Sequence, residues 1–402
     1  MDLRYHGREP IDKDEMRRIA IIGAGPAGLM ASDRLSAAGC GVDLYDRMPS
    51  VARKFLMAGR GGLNLTHSEP FERFVTRYGK RAQLLRPALE AFSPADLRAW
   101  ADGLGAQTFT GTSGRVFPKA MKASPLLRAW LGRLAAQGVV LHTRHDWLGW
   151  DEDQLVFAAP IGKLYVKPDA TILALGGASW PRLGGDGGWA SIMADKGVPV
   201  TPFQPANVGF HATWSASFAE KFAGEPLKNI ALSFAGREVK GELMLTRRGL
   251  EGGAIYALSA ALRDAITRHG HADLVVDLRP DLNAGQVVSK LGRASPKDSL
   301  SNRLRKALNL SPAAIALVHE TKTADIKAVP VRLTGFEGLE RAISSAGGIA
   351  FDAVTPDFEL KALPGVYAVG EMLDWEAPTG GYLLQACFST AAMVSRAILR
   401  NG

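Results

Sequence analysis

Arg17-Arg-Ile-Ala-Ile-Ile-Gly23-Ala24-Gly25-Pro26-Ala27-Gly28-Leu-Met-Ala-Ser32 decides the fold of this chain. The apolar run Ile19–Ile22 reads as a buried strand, and the small residues after Gly28 read as a helix packed close to a sheet. Between them, Gly23 permits a tight turn, Gly25 lets backbone approach a pyrophosphate, and Gly28 lets the helix sit against the strand. The start of such a helix presents free N–H groups and the positive end of its dipole to phosphates. Val42–Asp46 reads as the second strand, and Asp46 lies eighteen residues past Gly28. An acid at that spacing accepts bonds from ribose hydroxyls and repels a 2′-phosphate. Strand, glycines, helix, second strand and terminal acid fall in register, so the segment reads as a dinucleotide-binding unit, with Arg47 beside Asp46 on the ligand.

Outward from this unit the pattern stays α/β. Helical periodicity covers Lys80–Leu104 and Ala123–Gln137, Val139–Thr143 reads as a strand, and Tyr165–Ala174 alternates before turning apolar. After about Lys196 the character changes. Val208–Ala212 and Ala231–Thr246 are β-rich, Ala254–Arg268 and Ser299–Leu317 are helical with a break near Pro312, and Ala272–Leu278, Ala328–Leu333 and Gly348–Phe351 read as short strands. The α/β character then returns, with an apolar strand at Gly365–Val369 and a helix from Tyr382 to Leu399. The expected architecture is α/β: a split Rossmann-type domain over 16–195 and 341–402, with a mixed β and helical insertion over 196–340 looping out of its middle. Residues 1–15 are polar and read as a flexible leader, and translation could begin at Met16 as well as at Met1.

Two later motifs favour FAD over NAD at the first glycine turn. Thr171-Ile-Leu-Ala174-Leu175-Gly176-Gly177 is an apolar strand ending in a glycine pair, and it resembles the second flavin-side strand of glutathione-reductase-like FAD proteins. Leu175 stands where those proteins usually carry threonine. Pro364-Gly-Val-Tyr-Ala-Val-Gly370-Glu371 resembles their late strand, whose Gly-acid pair holds the flavin ribitol. Gly380-Gly381-Tyr382-Leu383 then opens a helix whose N-terminus suits the anionic end of a flavin or its pyrophosphate.

Together these motifs resemble a family of bacterial flavoproteins that includes the aminoacetone oxidases and the flavoproteins of bile-acid dehydroxylation. The resemblance covers nearly the whole chain from Arg17. Its most specific stretch is Ala52-Arg53-Lys54-Phe-Leu-Met-Ala-Gly59-Arg60-Gly61-Gly62-Leu-Asn64-Leu-Thr66, which the family writes G-R-K-L-x-x-S-G-G-G-R-C-N-x-T. Gly114-Arg-Val-Phe-Pro118, Ala178-Ser-Trp180-Pro181 with Gly184–Gly188, Gly370-Glu-Met-Leu-Asp374 and Gly380-Gly-Tyr-Leu-Leu-Gln385 complete it. Gly62-Leu63 replaces the family's Arg-Cys, and Arg60 stands two positions before that arginine, so the chain reads as a divergent branch. The resemblance implies a glutathione-reductase-like split FAD domain, a β-barrel-like insertion and a helical part. It also implies that Arg53, Lys54, Gly59 to Gly62, Asn64 and Asp374 lie along the cofactor, and cations with bare backbone suit phosphates. Trp147 follows a strand end, a position that in such folds touches the adenine through its backbone.

The remaining features bound the function. The chain is 47% hydrophobic with two cysteines, Cys40 and Cys387, at no redox-motif spacing. That composition fits a reducing compartment and a cytoplasmic protein. No uninterrupted apolar run reaches membrane-spanning length. The eight histidines show no metal-ligand spacing, no nucleophilic triad can be assigned, and no second glycine fingerprint supplies a nicotinamide domain. The expectation is an oxidoreductase with noncovalent FAD and a small-molecule substrate, with NAD(P)H visiting transiently or oxygen accepting the electrons. The net charge of +8 and the run Lys290, Arg293, Lys297, Arg303, Arg305 and Lys306 raise a nucleic-acid-modifying flavoprotein as an alternative, though the run lacks aromatics for stacking bases. A flavin-binding protein without turnover is the third class. Trp180 and Tyr382, flanking glycine loops, are the candidate substrate-pocket residues, and the pocket is expected between the insertion and the Gly380–Tyr382 loop.

Overall fold

A computed structural model of the chain describes residues 16–401; the leader proposed for 1–15 lies outside the described residues. The chain divides into two compact units. The first comprises residues up to Phe203, Gly347–Glu376 and the stretch from Gly380 onward, and the second comprises Gln204–Ala346 with Ala377–Thr379.

In the first unit, β1 (Arg18–Ile22) runs into α1 (Pro26–Ala37) and then β2 (Gly41–Asp46). These strands join a five-stranded parallel sheet in the order Val366–Ala368, Ala170–Leu173, β1, β2, Val140–Thr143. The adjacent strands β1 and Ala170–Leu173 are buried on both faces, as crossover helices require, and so they read as continuous apolar runs. The helix Tyr382–Arg400 packs on α1 and on Ala82–Ala91. Among the described residues it is the one helix long and apolar enough to cross a membrane, yet most of it is buried within its own unit. Its seryl, threonyl and glutaminyl groups are buried too, and Ser395 and Thr390 are satisfied by carbonyls one turn back.

Several elements differ from the sequence reading. The helical stretch Lys80–Leu104 is two helices, Ala82–Ala91 and Pro94–Gly103, because Ser93 and Asp96 form a capping box that starts the second. Tyr165–Ala174 is likewise two strands, Gly162–Val166 and Ala170–Leu173. Pro168 between them has no N–H to give to a ladder. The first of these belongs to an antiparallel meander with Asp146–Asp151 and Gln154–Ala159. Where a strand was expected at Gly348–Phe351, the strand is Ser344–Ile349 and Phe351 opens a single 3-10 turn.

The second unit is built on a closed six-stranded antiparallel barrel, ordered Phe210–Ala212, Gly249–Glu251, Arg237–Thr246, Pro226–Phe234, Ala272–Asp277 and Val329–Phe336. Closure leaves no free sheet edge. Helices Ser259–His269, Leu300–Leu308 and Pro312–Glu320 share one apolar core with the barrel. The helical segment Ser299–Leu317 does break before Pro312, where Asn309 takes a left-handed conformation and Ser311 caps the next helix.

Leu274 has no exposed surface in this core, whereas Ile161 at the meander's turn is 99% exposed. Leu274→Ala is therefore expected to cost about 2–5 kcal/mol and Ile161→Ala less than about 0.5 kcal/mol, as read from urea unfolding midpoints.

Candidate cofactor site

The three fingerprint glycines occupy three different environments. Gly23 has φ +105°, and a Cβ there would come within 2.4 Å of the Ala174 carbonyl oxygen. A Cβ on Gly28 would lie 1.9 Å from the Gly23 carbonyl oxygen. A Cβ on Gly25, by contrast, would meet nothing within 4 Å. The first and third glycines thus allow backbone to pack on backbone, and the second faces open space. Gly25 is also the N-cap of α1, and no side chain caps that helix, so its first N–H groups are available to a ligand.

Asp46 holds this loop. Its Oδ2 accepts the Ala24 N–H at 2.9 Å and its Oδ1 accepts the Met48 N–H at 2.8 Å. Burial lifts the carboxyl above its ordinary value, opposed by those two bonds and by the charges of Arg47 and Arg53. Each oxygen retains a lone pair for a hydroxyl.

The cations are less free than their number implies. Arg47 donates to Asp186 at 2.7 Å and to the Gly184 carbonyl at 2.8 Å. It ties β2 to the glycine-rich loop Gly184–Gly188. Lys54 donates to Glu371 Oε2 and to Ser179 Oγ, both at 3.0 Å, which joins three motifs far apart in sequence. Arg53 touches Ser50 at 3.3 Å, and its buried Nε has no partner. Arg60 is exposed.

The glycine run is likewise divided. A Cβ on Gly59 would collide with Ala123 at 2.6 Å, and one on Gly62 (φ +112°) with Met121 at 2.9 Å, but Gly61 faces open space. Asn64 follows with a buried Oδ1 that has no partner, and an acceptor left so is costly unless a ligand or water reaches it.

At the end of the Ala170–Leu173 strand, Ala174 donates to Ile22, Leu175 to the Met372 sulfur at 3.1 Å, and Gly176 (φ +73°) opens onto space. Gly177 and Ser179 lie beside Gly185. Gly370 sits between α1 and the C-terminal helix, with a virtual Cβ 3.0 Å from Ala27 and 3.5 Å from the Cys387 sulfur. Burial, with Glu371 nearby, raises the Cys387 thiol well above its ordinary value, which keeps it protonated. Asp374 is engaged by Arg81, through its backbone carbonyl at 3.0 Å and through its carboxylate, and by the Thr201 hydroxyl at 3.1 Å. Trp147 lies in the meander, buried and edge-on to Trp150 at 4.8 Å, and its indole N–H is without a partner. Trp180 has a left-handed backbone (φ +56°) just before Pro181.

Gly380 (φ +136°) and Gly381 (φ +94°) make the turn into the C-terminal helix, and a Cβ on Gly381 would strike the Thr66 backbone at 2.5 Å. Gly381 is the N-cap, with no side-chain cap. Tyr382 and Leu383 form the first turn of the helix. The Tyr382 hydroxyl donates to Glu69 Oε1 at 2.6 Å, and its ring stacks near His67 and Phe74.

The sequence reading did not find the group around Glu69. This carboxylate accepts two bonds from Arg77, at 2.9 and 2.6 Å, as well as the tyrosine's. Burial pushes the Glu69 carboxyl up, but the Arg77 and Tyr382 bonds outweigh it and the net shift is down. The Tyr382 hydroxyl moves upward by burial and by its bond to Glu69. His67 accepts the Glu69 N–H on Nδ1 and faces the Ser113 carbonyl with Nε2. That assigns the ring proton to Nε2, and burial lowers the ring's tendency to take a second. Nothing local in the sequence signals this cluster, because Glu69 and Tyr382 meet only in the folded unit. No metal-binding cluster of His, Cys, Asp and Glu occurs among the described residues.

The family model described as HI0933-like protein Rossmann domain matches residues 17–397. A 3-dehydro-bile acid delta(4,6)-reductase from Clostridium scindens is 28% identical, over 95% of this chain and 99% of its own. A ribosomal RNA dihydrouridine synthase from Haemophilus influenzae is 23% identical, over 95% and 98%. Among solved structures, the 3-ketosteroid delta1-dehydrogenase of Sterolibacterium denitrificans superposes with a TM-score of 0.53 at 12% identity, covering 96% of this chain and 99% of that one.

The depressed Glu69 carboxyl sets a pH signature. A carboxylate whose folded value lies below its unfolded value stabilises the fold above the unfolded value, about 4.3 for glutamate, and loses that contribution as pH falls through the folded one. Glu69→Gln should therefore be less stable than wild type at pH 7, and the gap in urea midpoint should close as pH drops below about 4.3.

Proposed function

The chain belongs to the HI0933-like Rossmann-domain family, and we propose from this premise that it is an FAD-dependent oxidoreductase that reduces a carbon–carbon double bond conjugated to a carbonyl. The observation that carries the cofactor reading is the pair of uncapped helix N-termini in one unit, α1 at Gly25 and the C-terminal helix at Gly381, with Gly370 between the two helices. Two such ends suit one ligand that is anionic at its pyrophosphate and again at its reduced ring. The glutathione-reductase-like arrangement of FAD follows: pyrophosphate at Gly25, ribose at Asp46, ribitol near Glu371, and flavin ring toward Gly61, Asn64, Gly176 and Gly381. The open faces at Gly25, Gly61 and Gly176 and the unpartnered Asn64 oxygen fit that ligand.

When bound, FAD supplies hydride transfer. The residues of this chain then orient and hold charge. Asp46 fixes the loop against the ribose, Lys54 keeps Glu371 aimed through its 3.0 Å bond, and Glu69 with Arg77 fixes Tyr382 beside the helix end. The substrate class is supported by the two relatives: a delta(4,6)-reductase of a 3-dehydro-bile acid and an enzyme named for making dihydrouridine both act on an alkene conjugated to a carbonyl. NAD(P)H is the proposed transient electron donor, and the compartment is proposed as cytoplasmic. A second reading, reduction of uridine within RNA, is favoured by the name of the second relative and by the net charge of +8.

Purified protein should be yellow, and heat should release FAD identifiable by chromatography; release of FMN alone, or a colourless protein that cannot be reconstituted, would refute the cofactor. Gly25→Val should lower flavin content at least about tenfold by filling the pyrophosphate space, while Cys387→Ser keeps it.

Anaerobic mixing of the NAD(P)H-reduced enzyme with a dienone steroid or with uridine-containing RNA should reoxidise the flavin with one of them and with neither saturated counterpart. A flavin that stays reduced with both compounds and is reoxidised only when oxygen is then admitted would refute the alkene reading.

A further inference from the structure

Gly114–Pro118 has no part in the cofactor site described above. Within it, the strand Arg115–Pro118 is the middle member of a three-stranded antiparallel sheet, between Thr66–His67 and Thr108–Thr110. The whole sheet belongs to the first unit. Side chains alternate between the two faces of a strand, and residues directly opposite share a face. Val116 and its neighbour Thr66 have no exposed surface and define the inner face. Arg115 with His67, and Phe117 with Phe109, therefore share the outer one.

That face is apolar at one end. The Phe109 and Phe117 rings lie 5.9 Å apart, and Phe109 is 43% exposed. Two glycines leave the edges of the Phe117 ring uncovered: a Cβ on Gly111 would lie 3.3 Å from it and one on Gly62 3.7 Å. Gly62 also borders the Met121 side chain, which is 38% exposed. Three large apolar side chains thus meet water together beside the glycine run Gly59–Gly62, and such a cluster suits a ligand with an apolar body.

Arg115 is the cation of the paired face. It is half-buried, and among the described residues no carboxylate pairs with it. Glu69, the acid nearest in the chain to its strand partner His67, is taken by Arg73, Arg77 and Tyr382. A planar guanidinium fork without a partner matches a carboxylate. Beyond it His67 stacks on Tyr382 at 5.6 Å, so the face runs from the ring pair to the start of the C-terminal helix.

We propose that this face receives the substrate and selects its class: a conjugated ketone on a rigid apolar skeleton that carries a carboxylate. Phe109, Phe117 and Met121 hold the skeleton, and Arg115 pairs with the carboxylate. The proposal rests on the alkene-reductase reading above, which sets the flavin ring toward Gly61 and so next to Gly62 and Phe117. A polynucleotide would call for a track of stacking rings with a cation for each phosphate. One ring pair and one guanidinium match one apolar body with one acidic group.

The test uses the full-length, FAD-loaded protein and two steroid dienones of one skeleton, one ending in a carboxylate and the other in its methyl ester. Binding to the oxidised enzyme is read from the perturbation of the flavin spectrum. Wild type should bind the acid about tenfold tighter than the ester, the least that a charge-assisted pair contributes, and added salt should erode that preference. Arg115→Gln should bring the ratio to about one, with FAD content at the wild-type level. Arg115→Lys keeps the charge without the fork and should retain part of the preference. Phe109→Ser should weaken acid and ester alike, since both lose the same apolar contact. If Arg115→Gln fails to fold, the acid-to-ester ratio of wild type and its salt dependence decide. Equal binding of acid and ester, an unchanged ratio in Arg115→Gln, or binding of uridine-containing RNA with neither steroid overturns the inference. An enzyme that shows the preference but leaves the bound acid unreduced keeps the site and refutes the alkene reading instead.

Discussion

The first unit depends on two places where backbone touches backbone with no room for a side chain. A methyl group on Gly28 would overlap the Gly23 carbonyl, and one on Gly23 would overlap the Ala174 carbonyl. These contacts set how near α1 lies to the sheet and how near β1 lies to its neighbour, and hence where the helix N-terminus points. They also bring Gly23 within reach of Tyr45, whose carbonyl accepts its N–H at 2.7 Å. The Asp46 bond to Ala24 then locks the loop that the glycines made possible. The order matters: sterics place the loop, and the carboxylate fixes it. A site built this way is preformed, because its donors are already held by packing and their conformational entropy is already lost.

This part of the fold was legible because its cause is local. A strand, a turn that only glycine can make and a helix of small residues state their geometry within sixteen residues, and Asp46 adds the next strand's end. The barrel was partly legible, since alternation marks strands but nothing in Phe210–Ala212 or Gly249–Glu251 says that they pair. The missed boundaries have side-chain causes of short range: the Ser93–Asp96 box cut one helix into two, and Pro168 cut one strand from another. What the sequence withheld is long-range pairing. Lys54 with Glu371, Arg47 with Asp186 and Glu69 with Tyr382 are separated by 317, 139 and 313 positions, and no local pattern distinguishes a paired charge from a solvated one.

That pairing changes how the site handles an anion. Read as sequence, Arg47, Arg53 and Lys54 beside a glycine loop offer three cations to a pyrophosphate. Folded, Arg47 faces Asp186 and Lys54 faces Glu371, and each pair is close to neutral. The Lys54–Glu371 pair is partly buried, so it is screened less than a surface pair, and separating it would leave a charge poorly solvated, whereas Asp186 in the other pair is exposed. The lysine keeps one N–H and Glu371 keeps Oε1 for a ligand, but their main effect is to hold Ser179 and the Gly370 turn in place. The chief free polarity beside Gly25 is then the N–H groups at the start of α1 and its dipole. Neutral donors of this kind discriminate by geometry more than by charge. The same logic holds at the other end, where the uncapped turn at Gly381 offers N–H groups and no cation. The two uncapped helix starts, at Gly25 and Gly381, therefore carry the free N–H groups of this unit, and the ion pairs act as struts beside them.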